Sequence, residues 1–312
     1  MSTHRSRPLA VGAALALTLG LAACGSGSNN PLATTTSGGG GSSSAAAGSV
    51  VVGSADFSES VLLAEVYAGA LKKKGINAST KPRIGSREIY LKALEDGSIQ
   101  LIPEYTGALA LNYKKDFAET EPEKVYEGLK GVLPANLQVL ARSSAEDKDS
   151  ITVTKETAEK HQLKTMSDLS AKAGELTLGA PDEFKTRAQG IPGLAKVYGI
   201  TFKQVRTPLG GQAAVTALKN GQIQAANIFT TDPSIKANGF VVLEDDKRLF
   251  GTQNVVPLIA KKAATPEVTA ALDAVSAKLT TEELRTLMGK VDLDKQDPAK
   301  VAADWLTAQG IG

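Results

Sequence analysis

Cysteine, histidine and tryptophan are almost missing from this chain of 312 residues, which has one Cys, two His and one Trp. With Cys24 as the only thiol no intrachain disulfide can form, so an exported domain must be held by its apolar core. His4 lies in the N-terminal segment, which leaves His161, beside Lys160 and Gln162 on a predicted polar helix, as the histidine of the body. Multi-histidine metal sites are excluded on that ground and a Ser-His-Asp triad is disfavoured. Charge of one sign is missing too: 35 basic residues against 33 acidic ones leave a net charge of +2, with no basic stripe for nucleic acid. There is no P-loop, no G-x-S-x-G and no G-x-G-x-x-G after a strand. Asp245 and Asp246 are adjacent, so on a strand they point apart and read as a solvated turn rather than as an acid-base pair. Nothing calls for a catalytic residue, a metal or another cofactor.

What is present begins at the N-terminus. Arg5 and Arg7 precede an apolar stretch at 9–22, too short to cross about 30 Å of hydrocarbon as a stable helix, and small residues lead to Cys24. That is the pattern of a signal peptide over 1–23. Leu21-Ala22-Ala23-Cys24 resembles the lipobox of bacterial lipoproteins, which implies acylation of Cys24 and lipid anchoring at the extracytoplasmic face of the cell membrane. Residues 25–48 are almost wholly Gly, Ser, Ala, Thr and Asn, a composition that cannot bury enough surface to offset its ordering entropy. With Cys24 they make a tether over 24–49. A Gly/Ser coil of this length spans roughly 25 to 30 Å. Two acyl chains would make the anchor stable, since one chain binds membranes only marginally.

The body alternates short apolar runs with helical periodicity. Val50-Val51-Val52 reads as a buried strand; Ser58 suits the N-cap of a helix over 61–71 that Gly75 can end. A second helix follows at 86–96, stopped by Gly97, and then a strand at 99–102. This alternation predicts an α/β fold with mostly parallel sheets. The most informative feature is internal: Ala93-Leu94-Glu95-Asp96-Gly97-Ser98-Ile99-Gln100 recurs 124 residues later as Ala217-Leu218-Lys219-Asn220-Gly221-Gln222-Ile223-Gln224. Near the same offset, Gly53 to Phe57 is echoed by Gly179 to Phe184, and Ile84-Gly85 by Leu209-Gly210. Two related α/β lobes are expected, joined by two crossings, within 137–153 and 240–260. Lobe I takes 50–150 plus 255–312 and lobe II takes 151–254. Trp305 is expected in the core.

The repeat also predicts a site. Tyr105-Thr106 maps onto Phe229-Thr230, just beyond the carboxyl ends of equivalent strands, where open α/β sheets bind ligands. If the lobes face each other, Tyr105 and Phe229 line opposite walls of one cleft.

Several motifs then resemble a known family, the substrate-binding proteins of ABC importers for glycine betaine and related osmoprotectants. Gly53-Ser54-Ala55-Asp56-Phe57-Ser58-Glu59 is similar to that family's opening segment, and Pro103-Glu104-Tyr105-Thr106-Gly107 to its Pro-Glu-Tyr-Thr-Gly. Phe184-Lys185-Thr186-Arg187, Thr231-Asp232 and Leu243-Glu244-Asp245-Asp246-Lys247 follow in the family's order. The resemblance implies a two-lobed type II periplasmic-binding-protein fold and an aromatic box for a quaternary ammonium. Tyr105 would be one wall, Phe229 would stand for another Tyr, and Arg187 would clamp an anionic group. The chain departs from the pattern at Asp149 and Gln253, where two further box tyrosines are expected, at Ala55 in place of a Lys, and at Ala108 in place of a Thr.

The expected function is an extracytoplasmic, lipid-anchored receptor that closes on a small solute and delivers it, as a monomer, to the permease of an ABC importer. The expected ligand-binding residues are Ser54, Ala55, Asp56, Tyr105, Thr106, Asp149, Arg187, Phe229, Thr230 and Gln253. An enzyme on the same scaffold would need a nucleophile or an acid-base pair in the cleft. A surface adhesin would bind a macromolecule outside it, independently of Tyr105 and Phe229.

Overall fold

Two five-stranded sheets organise the chain in a computed structural model that describes residues 49–312. The expected signal peptide, the Cys24 lipidation site and the tether up to residue 48 lie outside the described residues. The first sheet holds β1 (Val50–Gly53), β2 (Ala78–Lys81), β3 (Leu101–Tyr105), β4 (Leu137–Val139) and β10 (Val255–Ala260), in the order β2-β1-β3-β10-β4. The second holds β5 (Ile151–Val153), β6 (Thr177–Gly179), β7 (Gln204–Arg206), β8 (Ala225–Asn227) and β9 (Val241–Val242), in the order β7-β6-β8-β5-β9. Both are mixed rather than mostly parallel. The strand that follows a crossing, β5 or β10, enters antiparallel to its two neighbours.

The two sheets repeat each other in register. Val52 of β1 pairs with Thr80 and Leu101; Leu178 of β6 pairs with Val205 and Ala225. Side chains repeat as well. Val51 N donates to Gln100 Oε1, and Gln100 Nε2 to Gly97 O; Thr177 N donates to Gln224 Oε1, and Gln224 Nε2 to Gly221 O. Gly97 and Gly221 both adopt positive φ, which lets each preceding helix stop and drop its chain straight into the next strand. Gly53 and Gly179 leave room for an isoleucine: a Cβ would come within 2.5 Å of Ile99 Cδ1 at the first and 2.6 Å of Ile223 Cδ1 at the second.

Apolar side chains alternate across the first sheet. Val50, Val52, Leu101, Val255 and Ile259 face one core, which also receives α1 (Ser58–Lys73), the helices Pro266–Lys278 and Thr281–Met288, and Trp305. Trp305 is buried, and its indole N–H donates to Glu283 Oε2 at 2.7 Å. Ile102, Val256 and Leu258 face the other core, with α2 (Arg87–Glu95), α3 (Thr106–Tyr113) and α4 (Pro122–Val132). The second sheet is covered on both faces in the same way.

Two local expectations are corrected. Ser58 is the first residue of α1 rather than its cap; Phe57, extended and without a side-chain cap bond, precedes it. β3 runs on through Pro103 to Tyr105 instead of ending at Ile102. Pro103 stands opposite Pro257 of β10, so the ring that lacks an N–H faces one that lacks it too.

The chain passes between the sheets twice, at 140–150 and at 243–254. The passages run antiparallel, linked by an isolated bridge between Glu146 and Asn254 and by Asp147 N donating to Gln253 O at 3.1 Å.

Candidate solute-binding cleft

The loops at the carboxyl ends of β1, β3, β6 and β8 face each other across a cavity of about 530 Å³. Strand ends are where an open α/β sheet exposes loop backbone and helix N-termini, so the fold places the cavity where recognition groups are easiest to mount. Of the residues expected at the site, Ala55, Asp56, Tyr105, Asp149, Arg187, Phe229 and Gln253 line it. Tyr105 and Phe229 come from different sheets, and a third ring joins them: Phe57 lies 6.3 Å from the Tyr105 centroid and 5.2 Å from that of Phe229.

Ser54, Thr106 and Thr230 are not among the lining residues, and each has a structural task. The Ser54 hydroxyl is fully buried; it donates to Ala55 O at 2.9 Å and accepts from Arg83 N at 2.8 Å, closing the turn after β1. Thr106 Oγ1 accepts from Asn254 N at 3.1 Å and fixes α3 to the second passage. Thr230 Oγ1 accepts from Lys148 N at 3.0 Å and donates to Asp147 Oδ1 at 3.2 Å, which ties the loop after β8 to the first passage. Gln253 lines the cavity with its amide engaged: Oε1 accepts from Ala108 N at 2.8 Å and Nε2 donates to Phe250 O at 2.8 Å.

The floor is acidic. Glu59 is 3 % exposed and accepts from the hydroxyls of Tyr105, on its own side, and Thr231, on the opposite side. Asp147, 4 % exposed, accepts from Thr231 N at 3.1 Å as well as from Thr230. Burial raises Glu59 above the usual carboxylate range against the lowering effect of its hydrogen bonds; burial and then the Glu59 charge push Asp147 well up. Asp149 is also raised, first by burial, although Asn227 Nδ2 donates to it at 2.8 Å.

The basic groups are paired. Arg87, 8 % exposed, donates from Nε and Nη2 to the two oxygens of Glu104, each at 2.9 Å, and the Tyr90 hydroxyl donates to the same carboxylate at 2.7 Å. Burial lowers Arg87, but the Glu104 charge outweighs it and holds the guanidinium firmly ionised. Arg187 does not project alone into the cavity: Nε and Nη2 donate to Glu88 Oε1 and Oε2, each at 3.3 Å, across the gap between the lobes. Burial pushes the Glu88 carboxyl up, but the Ser86 hydroxyl and Arg187 outweigh it and hold the group at about 2.

Phe57, Glu59, Arg87, Tyr90 and Asp147 line the cavity without having been expected there. Phe57 and Glu59 lay inside the opening motif, where helix periodicity treats them as ordinary entry residues. Asp147 carried no sequence signal, because nothing local shows that a polar passage between lobes will be buried.

With this geometry in view, the chain can be set beside known proteins. A family model described as the substrate binding domain of ABC-type glycine betaine transport systems matches residues 48–308. The glycine betaine-binding protein YehZ of Escherichia coli K12 is 29 % identical over 276 residues, covering 84 % of this chain and 90 % of that one. The ergothioneine transport permease/ergothioneine binding protein EgtU of Helicobacter pylori G27 is 27 % identical over 267 residues, 84 % of this chain and 48 % of the longer protein. The crystal structure of a glycine betaine/carnitine/choline ABC transporter protein shares the fold with a TM-score of 0.68 at 24 % identity, covering 84 % of this chain and 99 % of that one.

Proposed function

Because the chain belongs to the substrate-binding domains of ABC-type glycine betaine transport systems, we propose that it is the lipid-anchored receptor that captures a quaternary-amine-class solute between its lobes. Members of this family are solute-binding proteins rather than enzymes; they act outside the cytoplasm and hand small solutes to a permease. No helix among the described residues is long and apolar enough to cross a membrane. Cys24 with its acyl chains is the proposed anchor, 24–49 the tether, and a monomer the working form. Lobe I spans 50–150 and 255–312, and lobe II spans 151–254.

The observation that carries the reading is the run of three rings, Tyr105 and Phe57 from lobe I and Phe229 from lobe II, lining one cavity. Ring quadrupoles attract a cation that cannot donate hydrogen bonds, and a solute touching rings on both lobes favours the closed state over the open one. The hinge is the antiparallel pair of passages, which Gln253 and Asp147 brace. Calorimetry with quaternary amines, on the protein and on its Tyr105→Ala and Phe229→Ala variants, tests the site. Binding that both variants retain in full would place recognition elsewhere. Spin-label distances between the lobes should shorten on binding; labelled-palmitate incorporation that Cys24→Ser abolishes is expected of the anchor.

A further inference from the structure

We infer that the solute held in this cavity carries a net positive charge and no carboxylate, and that Glu88 excludes carboxylate-bearing solutes by occupying Arg187. The inference rests on the receptor reading above and deepens it by fixing the ligand's charge.

Every guanidinium that lines the cavity faces a carboxylate of the protein itself. Arg87 is matched by both oxygens of Glu104 at 2.9 Å, Arg187 by both oxygens of Glu88 at 3.3 Å with Glu183 at 3.8 Å, and Arg83 by Asp56 at 3.2 Å. No lysine lines the cavity. A zwitterion's carboxylate therefore finds a cation only by displacing one of these partners, and it must lie beside the surplus of acids that remains.

Among the acids on the floor, Glu59 and Asp147 have no such balance, while Asp149 feels the charges of Arg187 and Arg87. Glu59, Asp147 and Asp149 take their hydrogen bonds from neutral donors: the hydroxyls of Tyr105, Thr230 and Thr231, the Thr231 backbone N–H and the Asn227 amide. Burial disfavours their charged forms, which a cation placed beside them would restore. Phe57, Tyr105 and Phe229 add ring quadrupoles of the same preference. Acceptors and rings thus converge on a space whose guanidinium groups are already paired with carboxylates of the protein. Glu88 comes from α2 on one side and Arg187 from the opposite lobe, so one pair both spans the cleft and engages the guanidinium that a ligand carboxylate would need.

The test is calorimetric titration of choline, glycine betaine and the uncharged tert-butyl analogue of choline, on the wild type and on Glu88→Gln. The wild type should bind choline about tenfold or more tightly than either glycine betaine or the uncharged analogue. Glu88→Gln, which keeps the side-chain shape and leaves Arg187 only the longer contact with Glu183 at 3.8 Å, should raise glycine betaine affinity about tenfold. The Glu88 side chain is 51 % exposed, so the variant should fold, which its thermal melt will show. Glycine betaine binding as tightly as choline, or the uncharged analogue doing so, overturns the inference and leaves the receptor reading standing. Unchanged glycine betaine affinity in Glu88→Gln overturns the role given to Glu88. Failure of all three to bind the wild type overturns the quaternary-amine reading and this inference with it.

Discussion

Replacing Asp147 by Asn should stabilise the protein at alkaline pH and leave it unchanged in acid. The groups facing Asp147 and Glu59 are the hydroxyls of Tyr105, Thr230 and Thr231 and the acids Asp149 and Asp232, with no cation among them. Burial raises both carboxyls and the Glu59 charge pushes Asp147 up further, so the folded protein keeps a proton that the unfolded chain, with carboxyls titrating near about 4, has released. In that window the folded state binds more protons than the unfolded one. Stability is therefore fully present below the unfolded value and is lost as pH rises, by about 1.4 kcal/mol per pH unit for one retained proton, until the folded pair itself ionises. Asn has the shape of protonated Asp: its oxygen can still accept from Thr230 and Thr231, and its amide can donate to Glu59. Urea unfolding at constant ionic strength should superimpose the two proteins near about pH 4.5 and favour the variant by about 1.4 kcal/mol or more at about pH 8. A variant less stable than the wild type at the higher pH, or two parallel stability curves, would refute the shared-proton reasoning.

Three further expectations concern single side chains. Glu104→Ala leaves the buried Arg87 guanidinium without its bidentate partner and should cost about 3 to 5 kcal/mol in urea unfolding, where a loss under about 1 kcal/mol would mean that water replaces the carboxylate. Gly190→Ala brings a Cβ to 1.9 Å from Phe184 O, a backbone atom that cannot swing aside. The forced shift should cost about 2 to 3 kcal/mol and weaken solute binding through Phe184, which lines the cavity; a melting temperature equal to the wild type's would contradict the contact. Phe57→Ala removes the ring between Tyr105 and Phe229, and the affinity for a quaternary amine should fall by about 1 kcal/mol or more, read by calorimetry against an unchanged unfolding m-value.

The repeat carried most of what the sequence says about the fold, and its physical content explains why. Gly97 and Gly221 need positive φ, Ile99 and Ile223 need a glycine opposite them, and Gln100 and Gln224 need a strand N–H to accept, so the same tasks select the same residue types in both halves. Strand direction was less legible. Val255-Val256-Pro257-Leu258-Ile259 announces a buried strand, but apolar content is equal for a parallel and an antiparallel neighbour, and only the return passage decides that β10 enters reversed. The end of β3 was hidden because a lone proline reads as a stop; what makes Pro103 acceptable there, Pro257, lies far away in sequence.

The candidate site was legible where a residue type implies one environment and hidden where pairing decides its role. Tyr105 and Phe229 follow from their equivalent positions past β3 and β8, because an aromatic at a strand's carboxyl end can face only the shared opening or the core. Arg187 follows from its motif as a free cation, yet its charge is cancelled by Glu88, which sits on the other lobe and has no sequence relation to it. The acids invert in the same way. Glu59, Asp147 and Asp149 look like ordinary solvated carboxylates in the sequence, and the start of α1 and the first passage bury them with hydrogen bonds from hydroxyls, a backbone N–H and an amide. Duplication of one α/β unit explains the shape of the cleft, while its charge comes from residues outside the repeat. The passages and the first turn of α2 can therefore change what the cleft accepts without changing the lobes that form it, and solute choice should follow substitutions at Glu88, Asp147 and Asp149 more closely than substitutions in either sheet.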